Sequence, residues 1–140
     1  MTRLIDVAAA SAEIATTSAR SAKTNRLAAV LRAADIDDVP MIVAWLSGEI
    51  LQRRIGVGWA ALATVPPAAD AASLTVAEVH RAFSEMAAES GFGSQARRSA
   101  LLSDVMSRST EIEQSFLRAL LSGNLRQGAL AGVMSDAIAK

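Results

Sequence analysis

Apolar residues recur at helical spacing along almost the whole chain, and polar or glycine-rich breaks separate the runs. Residues 4–15 carry small or apolar side chains on most faces, which predicts a first helix. Thr16, Thr17 and Ser18 interrupt it. A second helix is expected over about 19–34, with Leu27, Val30, Leu31 and Ala34 on one face. Asp35, Asp37 and Asp38 form an acidic turn, from which Asp37 or Asp38 can cap a helix with Pro40 in its first turn. That helix, near 39–46, is apolar almost all round (Met41, Ile42, Val43, Trp45, Leu46) and is expected at the centre of the core. Gly48 suits a left-handed stop.

Two arginines then meet two glycines in Arg53-Arg54-Ile55-Gly56-Val57-Gly58, a segment whose backbone can approach another molecule closely. A short helix over about 58–64 and a Pro66-Pro67 linker over 65–73 follow. Thr75 and Glu78 have capping-box spacing, as do Thr110 and Glu113. The first box opens a helix to about residue 90, with Val76, Val79, Phe83, Met86 and Ala87 inward. Gly91, Phe92 and Gly93 break the chain, and Ser94 is expected to cap the next helix, with Leu101, Leu102, Val105 and Met106 inward. The second box opens a helix carrying Ile112, Phe116, Leu117, Leu120 and Leu121, which Gly123 ends. A last helix is expected to bury Leu130, Val133, Met134 and Ile138.

The two halves resemble each other. Leu46-Ser47-Gly48 aligns with Leu121-Ser122-Gly123 at an offset of 75 (121 − 46). Without a gap, the same offset sets Lys23 on Arg98, Leu27 on Leu102, Asp38 on Glu113 and Gln52 on Gln127. After a short adjustment, Arg54 and Gly56 correspond to Arg126 and Gly128. The expected fold is therefore all-α, a compact multi-helix bundle of two pseudo-twofold-related halves (about 1–65 and 74–140) in one domain.

Composition agrees with helices: the sequence is 51% hydrophobic but only 4% aromatic, and it has no Tyr. The absence of Cys excludes disulfides, thiolate metal sites and a Cys nucleophile. Residues 1–7 do not read as a signal peptide, and no run reaches the roughly 18–20 apolar residues of a membrane span. A cytoplasmic protein is expected. The single His80 and the run Asp35, Asp37, Asp38 make neither a metal cluster nor a calcium loop. No Walker-type loop is present. Fourteen basic residues balance fourteen acidic ones, so any case for an anionic partner rests on where the cations sit.

They sit at helix beginnings. The first turn of a helix offers unpaired N–H groups and a partial positive charge, which suits a phosphate when Gly or Ser leaves room. Four segments have this layout: Ser18 with Arg20 and Lys23; Arg54 with Gly56 and Gly58; Gly93, Ser94 and Gln95 with Arg97 and Arg98; and Arg126 with Gly128. Such contacts would position a duplex without reading its sequence. Six to eight phosphate contacts would give a log K against log salt slope of about −5 to −7. Asp35, Asp37, Asp38, Asp70, Glu85 and Glu89 would then lie away from the duplex. Arg98→Ala and Arg126→Ala are expected to weaken binding without changing the melting temperature. A helical protein-interaction or oligomerisation domain is the alternative that neutral charge and high Ala content would suit.

The same residues resemble the N-terminal DNA-binding domain of ATP-dependent DNA ligases, and most closely the actinobacterial, mycobacterial-like B-type. The resemblance covers nearly the whole chain. It is carried by Thr17-Ser18-Ala19-Arg20, by Leu46-Ser47-Gly48-Glu49 leading to Ile55-Gly56-Val57-Gly58, by Gly93-Ser94 with Arg97 and Arg98, and by Ser122-Gly123-Asn124-Leu125-Arg126-Gln127-Gly128. The last is similar to the family's Ser-Gly-x-Leu-Arg-x-Gly motif, although Asn124 stands where the family often has Glu. The resemblance implies a monomeric module that grips the backbone and minor groove of nicked double-stranded DNA. Adenylation and OB-fold domains of the same polypeptide would complete the ligase, with ATP and Mg2+ as its cofactors. The contacts it implies are Ser18, Arg20, Lys23, Arg54, Gly56, Gly58, Gly93, Ser94, Gln95, Arg97, Arg98, Arg126 and Gly128. Neither lysine, Lys23 or Lys140, lies in the Lys-x-Asp-Gly motif that takes the AMP. The chain is therefore expected to be a non-catalytic excised domain that acts on DNA of the bacterial nucleoid.

Overall fold

The computed structural model describes residues 2–52, 55–56 and 59–123, the last range without the side chains of residues 59 and 60. Arg53, Arg54, Val57, Gly58 and residues 124–140 lie outside the described residues, and with them the Arg126/Gly128 turn and the expected last helix. Seven α-helices are described: α1 Leu4–Ala15, α2 Arg20–Ala33, α3 Val39–Leu46, α4 Trp59–Ala63, α5 Val76–Ala88, α6 Ser94–Ser107 and α7 Glu111–Ser122. A 3-10 turn over Ile36–Asp38 leads into α3. No strand occurs among the described residues, so the protein is all-α.

Helix α1 occupies the centre, where the sequence pattern had placed α3. It buries Leu4, Val7, Ala8, Ala10, Ser11 and Ile14, and it packs on α2, α3 and α7. Its small side chains are the reason: a helix rich in Ala lets three neighbours approach its axis closely. Helix α3 presents one face, burying Ile42, Trp45 and Leu46 completely. Trp45 meets Phe83 of α5 edge to face, with ring centroids 5.7 Å apart. The start of α1 is tied to the start of α5: Leu4 N donates to Leu74 O (3.0 Å), and Val76 N donates to Thr2 O (2.8 Å). Both helices therefore diverge from one point.

Both capping boxes form, with Thr75 and Thr110 accepting from the amides of Glu78 and Glu113. The other expected caps do not. Asp38 stands at the N-cap of α3 without a side-chain cap; its carboxylate instead accepts from Thr2 N at 3.4 Å. Ser94 is the first residue of α6 and not its cap, because Gly93 takes the N-cap position with φ +80°. Pro40 lies in the first turn of α3, and Gly48 and Gly123 end α3 and α7 with positive φ.

Shifted by 75 residues, α2 and α6 begin and end within one residue of each other, and α3 and α7 end within one. The packing alternates in the same way: α1 lies on α2 as α5 lies on α6, while α1 meets α7 and α5 meets α3. The segment between α4 and α5 is strapped to the α6–α7 corner. Ala69 N donates to Ser109 O (2.8 Å), and Gln114 Nε2 donates to Pro66 O (3.0 Å) and Met106 O (2.8 Å).

Candidate nucleic-acid interface

The chain reverses between α5 and α6 in a turn built from two left-handed glycines, Gly91 (φ +81°) and Gly93 (φ +80°). Ser94 N closes it on Gly91 O at 3.2 Å. Arg97 reaches back from the first turn of α6 and clamps it. Its Nη1 donates to Phe92 O (3.1 Å), its Nη2 to Ser90 O (3.2 Å), and its Nε to both oxygens of Glu89. Arg98 donates from Nε to Met86 O at 3.2 Å and from Nη2 to Glu89 O. A guanidinium thus caps the negative end of α5. Both arginines are committed to holding the α5–α6 corner, where the sequence pattern had them facing a ligand. Glu89, expected on the far side, belongs to this corner as well. Because Gly93 has no side chain to cap α6, the N–H groups of Gln95 and Ala96 have no acceptor among the described residues.

The loop after α3 comes to the same corner. Ile55 anchors it in the core. Gly56 adopts φ +72°, and a Cβ there would stand 2.9 Å from Cζ and Nε of Arg98. Only glycine lets the loop lie this close to the guanidinium. Gln52 fixes the loop's approach: its Nε2 donates to Ser84 Oγ (2.9 Å) and lies 3.2 Å from His80 Nδ1 and 3.3 Å from His80 O. The structure thus brings Gly56, Gly93, Ser94, Gln95, Arg97 and Arg98 into one neighbourhood.

Ser18, Arg20 and Lys23 form a separate group at the α1–α2 corner. Ala19 is the N-cap of α2 and makes no side-chain cap. The hydroxyls of Thr16 and Thr17 turn back to Glu13 O at 3.0 and 2.8 Å. Arg26 is ion-paired with Glu13. Ser18 and Arg20 are exposed and Lys23 is half-buried.

The family model described as DNA ligase N terminus matches residues 60–139. The chain belongs to this DNA ligase family. It is 60% identical over 137 residues to a "Probable DNA ligase" of Mycolicibacterium gilvum (strain PYR-GCK) and 55% identical over 139 residues to one of Mycobacterium marinum (strain ATCC BAA-535 / M). A third, from Mycobacterium sp. (strain KMS), is 52% identical over 141 residues. Each alignment covers 98% of this chain and 27% of the relative, so the chain spans about a quarter of the length of the ligases it matches. The Ser-Gly and Gly-Ser turns that carried the resemblance are thus turns of a ligase N-terminal domain.

In this ligase domain the sequence pattern missed two elements of the corner. One is the Gln52 bridge to α5, whose only signal was the repeat pairing of Gln52 with Gln127. The other is the return of Arg97 and Arg98 onto α5, a non-local contact that spacing along one helix does not reveal. Among the described residues no three His, Asp or Glu side chains gather into a metal-binding group, and no helix is long and apolar enough to cross a membrane.

Proposed function

We propose that this chain is a non-catalytic module of an ATP-dependent DNA ligase that holds nicked duplex DNA by its sugar–phosphate backbone and minor groove, without reading sequence. The observation that carries the reading is the α5–α6 corner, where the uncapped start of α6 lies beside a glycine loop from the other half of the chain. Open N–H groups at Gln95 and Ala96, with small residues on either side, suit an anionic oxygen that must approach backbone. The repeat-related start of α2, with Ser18, Arg20 and Lys23, supplies a second anchor. Arg54 and Gly58, and Arg126 and Gly128, complete two further ones. The alternating helix packing supports two copies of one half-domain unit, which suits a ligand whose two strands run in opposite directions.

The nucleotide chemistry is assigned to the rest of the ligase. Lys23 is followed by Thr24-Asn25-Arg26 and so does not open a Lys-x-Asp-Gly motif, which supports placing ATP and Mg2+ in the rest of the ligase. The adenylation and OB-fold domains of the same polypeptide are its natural partners. The chain itself acts as a monomer on nucleoid DNA in the cytoplasm.

The test is mobility shift of a nicked duplex across a salt series. Arg97 and Arg98 are bonded to the α5–α6 corner, so the log K against log salt slope is expected to be shallower than the about −5 to −7 that six to eight phosphate contacts would give. No shift at micromolar protein and low salt overturns the proposal.

A further inference from the structure

Phe92 stands at the tip of the α5–α6 turn with 103% relative exposure, the highest of the large apolar side chains among the described residues. Leaving a phenyl ring in water forgoes roughly 2–3 kcal/mol of burial. The ring is nonetheless held out on a backbone that is well fixed. Two left-handed glycines flank it, the turn is closed from Ser94 N to Gly91 O, and Arg97 binds the carbonyls of Ser90 and of Phe92 itself. A ligand meeting this ring would not have to order the loop first.

The surroundings decide between kinds of ligand. A protein-docking surface needs a contiguous apolar patch. The chain neighbours of Phe92 are the small residues Ser90, Gly91, Gly93 and Ser94, and among the described residues Ile36 and Ile112, two of the other exposed large apolar residues, lie on other elements. What stands beside the ring is the uncapped start of α6. One rigid apolar side chain next to open N–H donors, with small residues around it, fits a ligand that alternates apolar and anionic groups at short range. A sugar–phosphate backbone does so, with the base edges of the minor groove beneath it.

Resting on the DNA-binding reading above, we infer that Phe92 is a minor-groove wedge that favours a nicked duplex over an intact one. The minor groove of intact B-form DNA is about 6 Å wide, too narrow to take a phenyl ring without opening. Inserting an apolar wedge at a base step costs a few kcal/mol of unstacking. A break in one strand removes the continuity that resists this opening, so the wedge enters more readily at a nick. The start of α6 holds phosphates on either substrate; Phe92 adds the preference between them.

The experiment measures binding of the chain to nicked and intact duplexes of one sequence, by anisotropy at three salt concentrations, for wild type, Phe92→Ala and Phe92→Leu. The wild type is expected to favour the nicked duplex. Phe92→Ala should lose about tenfold on the nicked duplex, within the range for losing one aromatic–base contact, and little on the intact one. Its salt slope and melting temperature should stay unchanged. Phe92→Leu, still an apolar wedge, should recover most of the loss. Equal binding of the nicked duplex by wild type and Phe92→Ala overturns the wedge and leaves the DNA reading standing. An equal loss on both duplexes, or a changed salt slope, overturns it too, because the turn would then act through phosphates. Failure of the wild type to bind either duplex refutes the DNA reading itself and the wedge with it.

Discussion

Replacing Arg98 with Ala removes a tie between three segments. Its guanidinium caps α5 through Met86 O and Glu89 O and fills the space above Gly56. A hydrogen bond from a charged donor contributes about 1.5–3 kcal/mol. Both carbonyls lie where water can partly replace the lost donor, so the lower end applies, and two bonds give about 3 kcal/mol. For a domain of this size each kcal/mol moves the melting temperature by roughly 3–4 °C, and Arg98→Ala should melt roughly 9–12 °C below wild type. Arg98→Lys should recover less than half, because an ammonium lacks the planar fork that reaches two carbonyls at once. Arg97→Ala should cost about 1–2 kcal/mol, since its pair with Glu89 and its bonds to Phe92 O and Ser90 O all lie open to solvent. Thermal and urea denaturation followed by circular dichroism measure all three variants. If Arg98→Ala melts within a degree of wild type, the guanidinium is not a structural cap, and the expectation drawn from the sequence, lost binding at unchanged stability, holds instead.

Two further perturbations test neighbouring points. Gly56→Ala forces a Cβ against a guanidinium held at both ends, and places L-chirality at φ +72°; it should cost about 1–3 kcal/mol, and less in an Arg98→Ala background, so strict additivity in the double mutant would contradict the contact. Glu78 is held below the usual glutamate range by its hydrogen bond to Arg108 and then by that from the Thr75 amide. Because the folded-state value is depressed, this contribution is present above the usual range and is lost as pH falls through the depressed value. Glu78→Gln keeps the capping box and removes the charge, so its deficit should be at most about 1 kcal/mol at neutral pH. The deficit should shrink as pH falls through the depressed value; urea denaturation at neutral and acidic pH that showed a constant deficit would refute the assignment.

What the sequence made legible is what repeats locally. The bounds of α1 and α3, both capping boxes and the glycine stops rest on spacing and on caps within four residues of each other, and they stand where the pattern placed them. What it hid is what depends on partners far along the chain. Asp38 caps nothing because Thr2 N, 36 residues away, takes its carboxylate. The central place went to α1 because small side chains admit neighbours, a packing property that an apolar count undervalues. In the candidate site the glycines were legible, since a close approach or positive φ excludes other residues. The arginines were not, because a guanidinium one turn inside a helix can point outward to a ligand or back onto the preceding helix, and the sequence is the same in both cases.

On the proposed DNA-binding function, that ambiguity reconciles a zero formal net charge with an anionic ligand. Arg26 is paired with Glu13, Arg97 with Glu89 and Arg108 with Glu78, so much of the positive charge is spent on fixing corners. What the fixed corners then present are backbone N–H groups whose direction is set by the helix they open. Such donors act at hydrogen-bond range and are fully aligned before the ligand arrives, whereas a flexible cation attracts from a distance and must be ordered on contact. On the proposed function, such a chain would have little need of long-range attraction, because the rest of a ligase would hold it near the duplex. Neutrality is then compatible with DNA binding, and attaching the chain to a duplex-binding partner should raise its apparent affinity without steepening the salt dependence that its own contacts contribute.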